Sequence, residues 1–319
     1  MPREFISITI HYIAVFHSII LALRIMEKYS YQILPNGQAN AVYGVDISPA
    51  DDMIASVSLS HAMKIWDKGN GEPREYRDLH ADGIADVCFS PDGKLIATAG
   101  LDKLIKVFDT SSGTLVTTLS GSANYVMSVR FMGNDNKKLV STGFDNLVRT
   151  WTLDGPVAQL AGMTNYSYGV DCSTDGNWIV SGSTASEVTM WNSEGEKTYQ
   201  QTEHEKGVHS VAFAKHTNDT FASGGGDGVV SLWNREAGEV ANRLRDHKGY
   251  VRALAFSHDG RILASGGQDG AICLWDTEKL EKLRTLSLHT NTVYSLAFAH
   301  DDSFLISGSF DRRTVKWQL

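Results

Sequence analysis

The sequence predicts an all-β fold, a seven-bladed β-propeller of four-stranded antiparallel blades whose ring is closed by an N-terminal strand completing the last blade. Three observations predict it. First, one pattern recurs: a small apolar run, a Ser-Gly step, an Asp-containing turn, and a short strand closing on an aromatic residue. It stands at Leu305–Trp317 (LISGSFDRRTVKW), Ala264–Trp275 and Ala222–Trp233, with weaker copies at Val180–Trp191, Val140–Trp151, Ala97–Phe108 and Ala55–Trp66. Second, the closing aromatics (Trp66, Phe108, Trp151, Trp191, Trp233, Trp275, Trp317) are spaced by 42, 43, 40, 42, 42 and 42 residues. A period of about 40–45 with four short strands per unit marks a radially repeated blade. Third, the ends are complementary: Tyr29–Leu34 reads as a strand without partners ahead of it, and Trp317 is followed by no outer strand.

The bulk numbers narrow the function. The net charge is −8, from 29 basic and 37 acidic residues. That balance gives no basic footprint for a phosphate backbone, so nucleic acid is not an expected partner. Cys88, Cys172 and Cys273 each fall in a strand of a different repeat, and no CxxC pair exists. They read as small core residues of a chain kept in a reducing compartment, cytoplasmic or nuclear, rather than as a disulfide scaffold.

In chain order, Phe5–Leu23 (FISITIHYIAVFHSIILAL) carries no formal charge over 19 residues. That length suffices for a membrane helix. His11 and His17 weaken the reading, and no small-x-small cleavage site marks a signal peptide. Residues 1–25 are therefore read as a hydrophobic extension that is either dispensable or a membrane anchor, and 26–319 as the propeller. Within each repeat an inner strand such as Val293–Phe298 leads to a turn, as at Ser90-Pro91-Asp92-Gly93, Ser173-Thr174-Asp175-Gly176, Ser257-His258-Asp259-Gly260 and His300-Asp301-Asp302. Pro, Asp and Gly supply the backbone angles such turns need. A second strand, the Asp turn, a third strand and a more polar outer strand such as Lys282–Leu286 follow.

These features resemble the WD-repeat family, whose blades end in Trp-Asp. Trp66-Asp67 and Trp275-Asp276 keep the dipeptide, and Phe108-Asp109, Trp191-Asn192 and Trp233-Asn234 approximate it. The resemblance covers residues 29–319. It speaks to fold far more than to function, because function lies in sites carried by the fold.

Ser, His and Asp recur in each of the last three repeats: His204, Ser223, Asp227, Trp233; His247, Ser265, Asp269, Trp275; and His289, Ser307, Asp311, Trp317. A catalytic triad has no reason to recur three times around a ring. The resemblance implies a structural chain instead, Trp to Ser to His to Asp, that ties the loop before the inner strand to the Asp turn. The set is incomplete elsewhere. Repeat 2 has His80, Thr98, Asp102 and Phe108; repeat 3 has Ser122, Ser141, Asp145 and Trp151; repeat 4 has Met163 and Ala185 in place of His and Asp; repeat 1 has Gln38 and Ser60. The C-terminal half is thus expected to be the stiffer half.

Other motifs carry less. His204-Glu205…His209 is one residue too long for a zinc-binding HExxH and lies in a loop and strand. Gly224-Gly225-Gly226-Asp227-Gly228 aligns with the ordinary Asp turn and opens no helix, so it is not a phosphate cradle. Asn165-Tyr166-Ser167 and Asn218-Asp219-Thr220 match the glycan acceptor pattern, which matters only on a secretory route. No catalytic residue, metal ligand or cofactor is expected.

In the family the chain resembles, the second residue of each inner strand sits near the channel mouth. Here these are Tyr43, Ala85, Met127, Tyr168, His209, Arg252 and Tyr294. The residue before each turn Asp, or its equivalent, lies on the same rim: Leu59, Leu101, Phe144, Thr184, Gly226, Gln268 and Phe310, with Tyr125, Tyr166 and Tyr250 in adjoining loops. Tyr, Arg and Met are enriched at protein-binding sites. Tyr43, Met127, Phe144, Tyr168, His209, Arg252, Tyr294 and Phe310 are accordingly the candidate partner-binding residues. The expectation is a monomeric, non-enzymatic scaffold or adaptor that binds protein or peptide partners within a multi-subunit complex. An enzyme with a site in the channel, and an adaptor tethered to a membrane through residues 5–23, are the rivals.

Overall fold

A computed structural model describes residues 30–67 and 71–319. The membrane-anchor and dispensable-extension readings of residues 1–25 lie outside the described residues. No helix among the described residues is long and apolar enough to cross a membrane.

The first element among the described residues is β1 (Tyr31–Ile33). Blade 1 is β2 (Val42–Ile47), β3 (Met53–Ser58), β4 (Met63–Asp67) and β5 (Arg74–Tyr76). Blade 2 is β6 (Ile84–Phe89), β7 (Leu95–Gly100), β8 (Ile105–Asp109) and β9 (Leu115–Leu119). Blade 3 is β10 (Val126–Phe131), β11 (Lys138–Gly143), β12 (Val148–Thr152) and β13 (Gly155–Leu160). Blade 4 is β14 (Ser167–Cys172), β15 (Trp178–Ser183), β16 (Glu187–Asn192) and β17 (Lys197–Thr202). Blade 5 is β18 (Val208–Phe213), β19 (Thr220–Gly225), β20 (Val229–Asn234) and β21 (Glu239–Arg245). Blade 6 is β22 (Val251–Phe256), β23 (Ile262–Gly267), β24 (Ala271–Asp276) and β25 (Glu281–Ser287). Blade 7 is β26 (Val293–Phe298), β27 (Phe304–Ser309) and β28 (Thr314–Gln318). Its fourth strand is β1, which pairs antiparallel with β28 through Tyr31–Trp317, Gln32–Lys316 and Ile33–Val315. The expected N-terminal closure is therefore present, with a difference. The strand has three residues rather than six, and its side chains are exposed. The residue that turns inward is Leu34, buried among Val42, Val45, Trp66 and Phe304.

Seven apolar clusters hold the ring, and each spans two consecutive blades. Inner strands are sandwiched between neighbours. For β6 this buries all six residues, IADVCF, as expected of strands covered on both faces. Outer strands such as β9 face water and read as mixed sequence. Cys88, Cys172 and Cys273 are free, buried thiols within these clusters. Burial pushes the Cys172 thiol up to about 11 and that of Cys273 to about 12.

The turns after the inner strands add polar ties between blades. Gly93, Gly176 and Gly260 take positive φ there, while Asp51 and Asp302 take the same conformation, at φ 56° and 58°. Asp tolerates this region better than most residues. What it gains here is a reach across the seam: Asp51 accepts the amides of His300 and Asp301 at 2.7 and 3.0 Å, and Asp302 those of His258 and Asp259 at 2.7 and 2.9 Å.

Candidate functional site at the mouth of the channel

The Ser, His and Asp residues of the repeats come together in the last three blades. In blade 5 the Trp233 indole donates to Ser223 Oγ (2.9 Å), His204 Nε2 meets the same oxygen (2.8 Å), and His204 Nδ1 faces Asp227 (3.1 Å). Blade 6 repeats this through Trp275, Ser265, His247 and Asp269 at 2.8, 2.8 and 3.2 Å. Blade 7 does so through Trp317, Ser307, His289 and Asp311 at 2.8, 2.7 and 2.9 Å. All three serines are fully buried, so their hydroxyls are closed to a substrate carbonyl. Each Asp also caps loop amides, as Asp311 does for Thr290 and Arg313. Against its burial, the His289 contacts and these amides hold the Asp311 carboxyl down at about 2. Packing is tight enough to dictate the Gly of the Ser-Gly-Gly step: a Cβ on Gly225 would lie 2.1 Å from His204 Nδ1.

The other blades differ individually. Blade 2 keeps His80 between Thr98 and Asp102, both at 2.8 Å. In blade 1, Gln38 bonds the Ser56 hydroxyl and carbonyl and accepts from Ser58. In blade 3, Arg149 of β12 reaches Asp145 at 2.7 Å and supplies the partner that Ser122 does not. In blade 4, Glu187 stands in for the missing His and Asp, accepting the Thr164 amide and hydroxyl at 3.2 and 2.7 Å and the Ser183 hydroxyl at 3.1 Å. The blade's Trp191 donates only to the Ala161 carbonyl at 3.3 Å, and the buried Thr184 hydroxyl has no partner. Amide exchange is therefore expected to be faster across Leu160–Ser186 than across Leu263–Trp275, measured by mass spectrometry on the native protein. Equal protection of the two stretches would mean that apolar packing between blades outweighs these bonds.

Every inner strand carries an irregularity in one place. Register shifts between its first and third residues, at Val42/Gly44, Ile84/Asp86, Val126/Ser128, Ser167/Gly169, Val208/Ser210, Val251/Ala253 and Val293/Ser295. The residue on the bulge is the second one each time: Tyr43, Ala85, Met127, Tyr168, His209, Arg252 and Tyr294. A bulge re-aims its side chain out of the pleat. All seven line one funnel that holds about 660 Å3 of space, part of it open to solvent.

The rings of this funnel touch in sequence. Tyr125 meets Phe144 at 5.8 Å; Phe144 stacks on Tyr166 at 4.9 Å and meets Tyr168 edge-on at 5.1 Å. Tyr168 meets His209 at 5.3 Å, and His209 stacks on Tyr250 at 4.9 Å. On the other side Tyr43 stacks on Tyr294 at 4.3 Å, with Phe310 at 6.2 Å from Tyr294. Tyr125, Tyr166 and Phe310 remain 38%, 46% and 44% exposed. Among the other rim residues, Gly226 is buried and Gln268 exposed, while Leu59, Leu101 and Thr184 are partly covered. Blade 2 therefore presents only Ala85 and Leu101 to the mouth, a gap in the aromatic wall.

Arg252 sits over Tyr168 and Tyr250, its guanidinium 4.8 and 5.2 Å from the ring centres, and donates to His209 Nδ1 at 3.1 Å. His209 Nε2 donates to the Lys206 carbonyl at 3.1 Å. Burial, then the charge of Arg252, lowers the His209 pKa to about 4, so the ring is neutral and its Nδ1 is free to accept. Burial, then Tyr294, pushes the Tyr43 hydroxyl up. Deeper in the channel Arg130 meets Asp86, with Asp46 and Asp171 nearby. Burial raises Asp46, while Asp86, Cys88, Asp171 and Asp46 carry Arg130 above its ordinary value against its own desolvation. Sequence reasoning missed this inner cluster. Its signal was a charge in an otherwise apolar inner strand, as in VDI, VRF and VDC.

The seven-blade topology and the register of its repeats match a known family. Its profile, described as "WD domain, G-beta repeat", fits residues 29–67, 74–109, 113–152, 155–192, 195–234, 238–276 and 280–318. The chain belongs to the WD-repeat family. Among relatives, this WD-repeat protein is 26% identical over 214 residues to a guanine nucleotide-binding protein subunit beta of Oryza sativa subsp. japonica, covering 60% of this chain and 55% of that one. It is 26% identical over 194 residues to the protein of the same name in Arabidopsis thaliana, covering 56% and 52%. To the nuclear distribution protein PAC1 of Arthroderma benhamiae it is 28% identical over 214 residues, covering 56% and 46%. The chain thus spans about half the length of the curated relatives it matches.

Proposed function

We propose that this WD-repeat protein is a non-enzymatic platform that receives a partner segment at the aromatic mouth of its channel. The observation that supports it is the run of touching rings from Tyr125 through Phe144, Tyr166, Tyr168 and His209 to Tyr250, with Tyr125 and Tyr166 exposed to water. Packing alone does not require such rings to stay exposed, and clustered exposed aromatics are what binding surfaces use. Assembly into a complex accords with the name of the rice relative, which describes a subunit. Function in the cytoplasm or nucleus accords with three reduced thiols.

The test is comparative affinity capture from cells. The bait pair is wild type and a Phe144→Ala, Tyr166→Ala double variant, with Lys137→Ala, Asn177→Ala on the opposite face as control. A defined set of proteins should be lost roughly tenfold from the mouth variant, retained by the control, and recovered with the purified components; truncating hot-spot aromatics typically costs at least 1–2 kcal/mol. Melting temperature should barely move. Identical captures from all three baits would exclude the mouth as the docking site.

A further inference from the structure

We propose that the partner segment docks through a carboxylate held by Arg252. The inference rests on the platform reading above and names the chemistry of its occupant. Arg252 is the cation on the funnel wall that has no carboxylate partner among the described residues. Its known contacts are one hydrogen bond to a neutral imidazole and the faces of Tyr168 and Tyr250. Those contacts fix the guanidinium plane but use only one of its five N–H donors. A partly buried guanidinium is ordinarily paired, and the planar fork matches a carboxylate through two parallel bonds. The second guanidinium of the channel shows the contrast. Arg130 lies deeper and is already engaged by Asp86, which also accepts the amides of Val87 and Val129 and the hydroxyl of Ser128.

The acids below do not reverse the preference. Asp86 and Asp171 are taken up by backbone amides and by Arg130 or Lys215, and Asp46 accepts the Phe89 amide. A cationic side chain entering from outside would have to pass Arg252 first. A phosphate dianion is disfavoured: one guanidinium faces it, with Asp46, Asp86 and Asp171 further along the same channel. A single carboxylate flanked by apolar residues fits both the charge and the rings. The low wall at Ala85 and Leu101 of blade 2 leaves the way in for the rest of the segment.

The probe is an array of eleven-residue peptides, otherwise randomised, with the central position fixed as Glu, Gln, Lys or phosphoserine. Each set is made with an amidated and with a free C-terminus. Binding is read for labelled full-length wild type, Arg252→Gln, Arg252→Lys and Phe144→Ala, each checked for native melting. The expected result is a preference of about tenfold for the Glu set, or for the free C-terminus, over the Gln-centred amides. It should vanish in Arg252→Gln and return in part in Arg252→Lys, with the phosphoserine set no better than Glu. The Glu and free-acid arms say whether the carboxylate is a side chain or a chain end. Equal binding of Glu and Gln sets with sensitivity to Phe144→Ala would overturn the carboxylate and leave the platform standing. So would a preference for Lys or phosphoserine. Binding of no set, or binding indifferent to Phe144, would overturn both.

Discussion

Replacing Asp145 with Ala is expected to destabilise the protein by about 3–5 kcal/mol, the usual cost of stranding one member of a buried ion pair. The Arg149 side chain is 4% exposed and that of Asp145 6%, with 2.7 Å between them. Asp145 also accepts the Ala123 amide at 2.9 Å. Arg149 has a further buried nitrogen, Nε, without a partner. Its dependence on the carboxylate is correspondingly high. Truncating Asp102 in blade 2 should cost less, because His80 is held below its ordinary pKa by burial and tolerates being neutral. Two urea titrations compare the variants, and a third on Asp145→Ala, Arg149→Met decides the cause. If the penalty comes from the stranded guanidinium, the double variant should recover most of the loss, since buried pairs are often replaceable by apolar residues of similar volume. A double variant as unstable as the single one would assign the loss to the Ala123 cap instead.

Arg149 also marks where the sequence stopped being informative. The fold was legible because its determinants are repeated: seven closing aromatics in register, Asp turns, and alternation that survives weak copies. The bonds between Trp, Ser, His and Asp in blades 5, 6 and 7 were what the WD-repeat resemblance implied for residues that recur together. The substitutes did not. Arg149 belongs to a strand, four residues beyond the Asp it serves, and Gln38 engages Ser56 and Ser58 in place of a His–Asp pair. Neither has a counterpart in another repeat to betray its role. Blade 4 substitutes Glu187 in the same way, so the softness expected there rests on the long Trp191–Ala161 bond and the unpartnered Thr184 hydroxyl. The mouth was legible by residue but not by mechanism. Nothing in VYG, VMS or VHS encodes a bulge, because register is a property of two strands and not of one. The contacts of Arg252, drawn from blades 4, 5 and 6, likewise depend on how far neighbouring blades turn about the axis.

A chain beginning at Met26 is expected to fold cooperatively, and one beginning at Pro35 to aggregate. The two differ by the strand that closes the ring. Tyr31 and Ile33 are 53% and 44% exposed, so the energetic anchor is not an alternating apolar face. It is Leu34, 1% exposed in the seam between blades 7 and 1, whose burial contributes roughly 1.5–3 kcal/mol. Backbone bonds flank it: the Leu34 amide donates to Thr314 at 2.9 Å and the Gln318 amide to the Ser30 carbonyl at 2.8 Å, at about 1 kcal/mol net for each. The strand also covers Trp317, whose ring lies 5.7 Å from that of Tyr31. Against a typical stability of about 5–15 kcal/mol, losing these terms together is severe. Removal also frees the edge of β28, and an unpaired edge is a template for another chain. Point variants separate the two effects. Leu34→Ala in the Met26 chain should cost about 2–5 kcal/mol while leaving the protein monomeric, since the edge stays paired. Ile33→Ala should cost well under that, because its side chain is half in water. Light scattering during a thermal ramp then reads the edge, and urea denaturation reads the seam. A Pro35 chain that stays monomeric and melts like the longer one would mean that the ring holds without β1, and the folding unit would then begin after it.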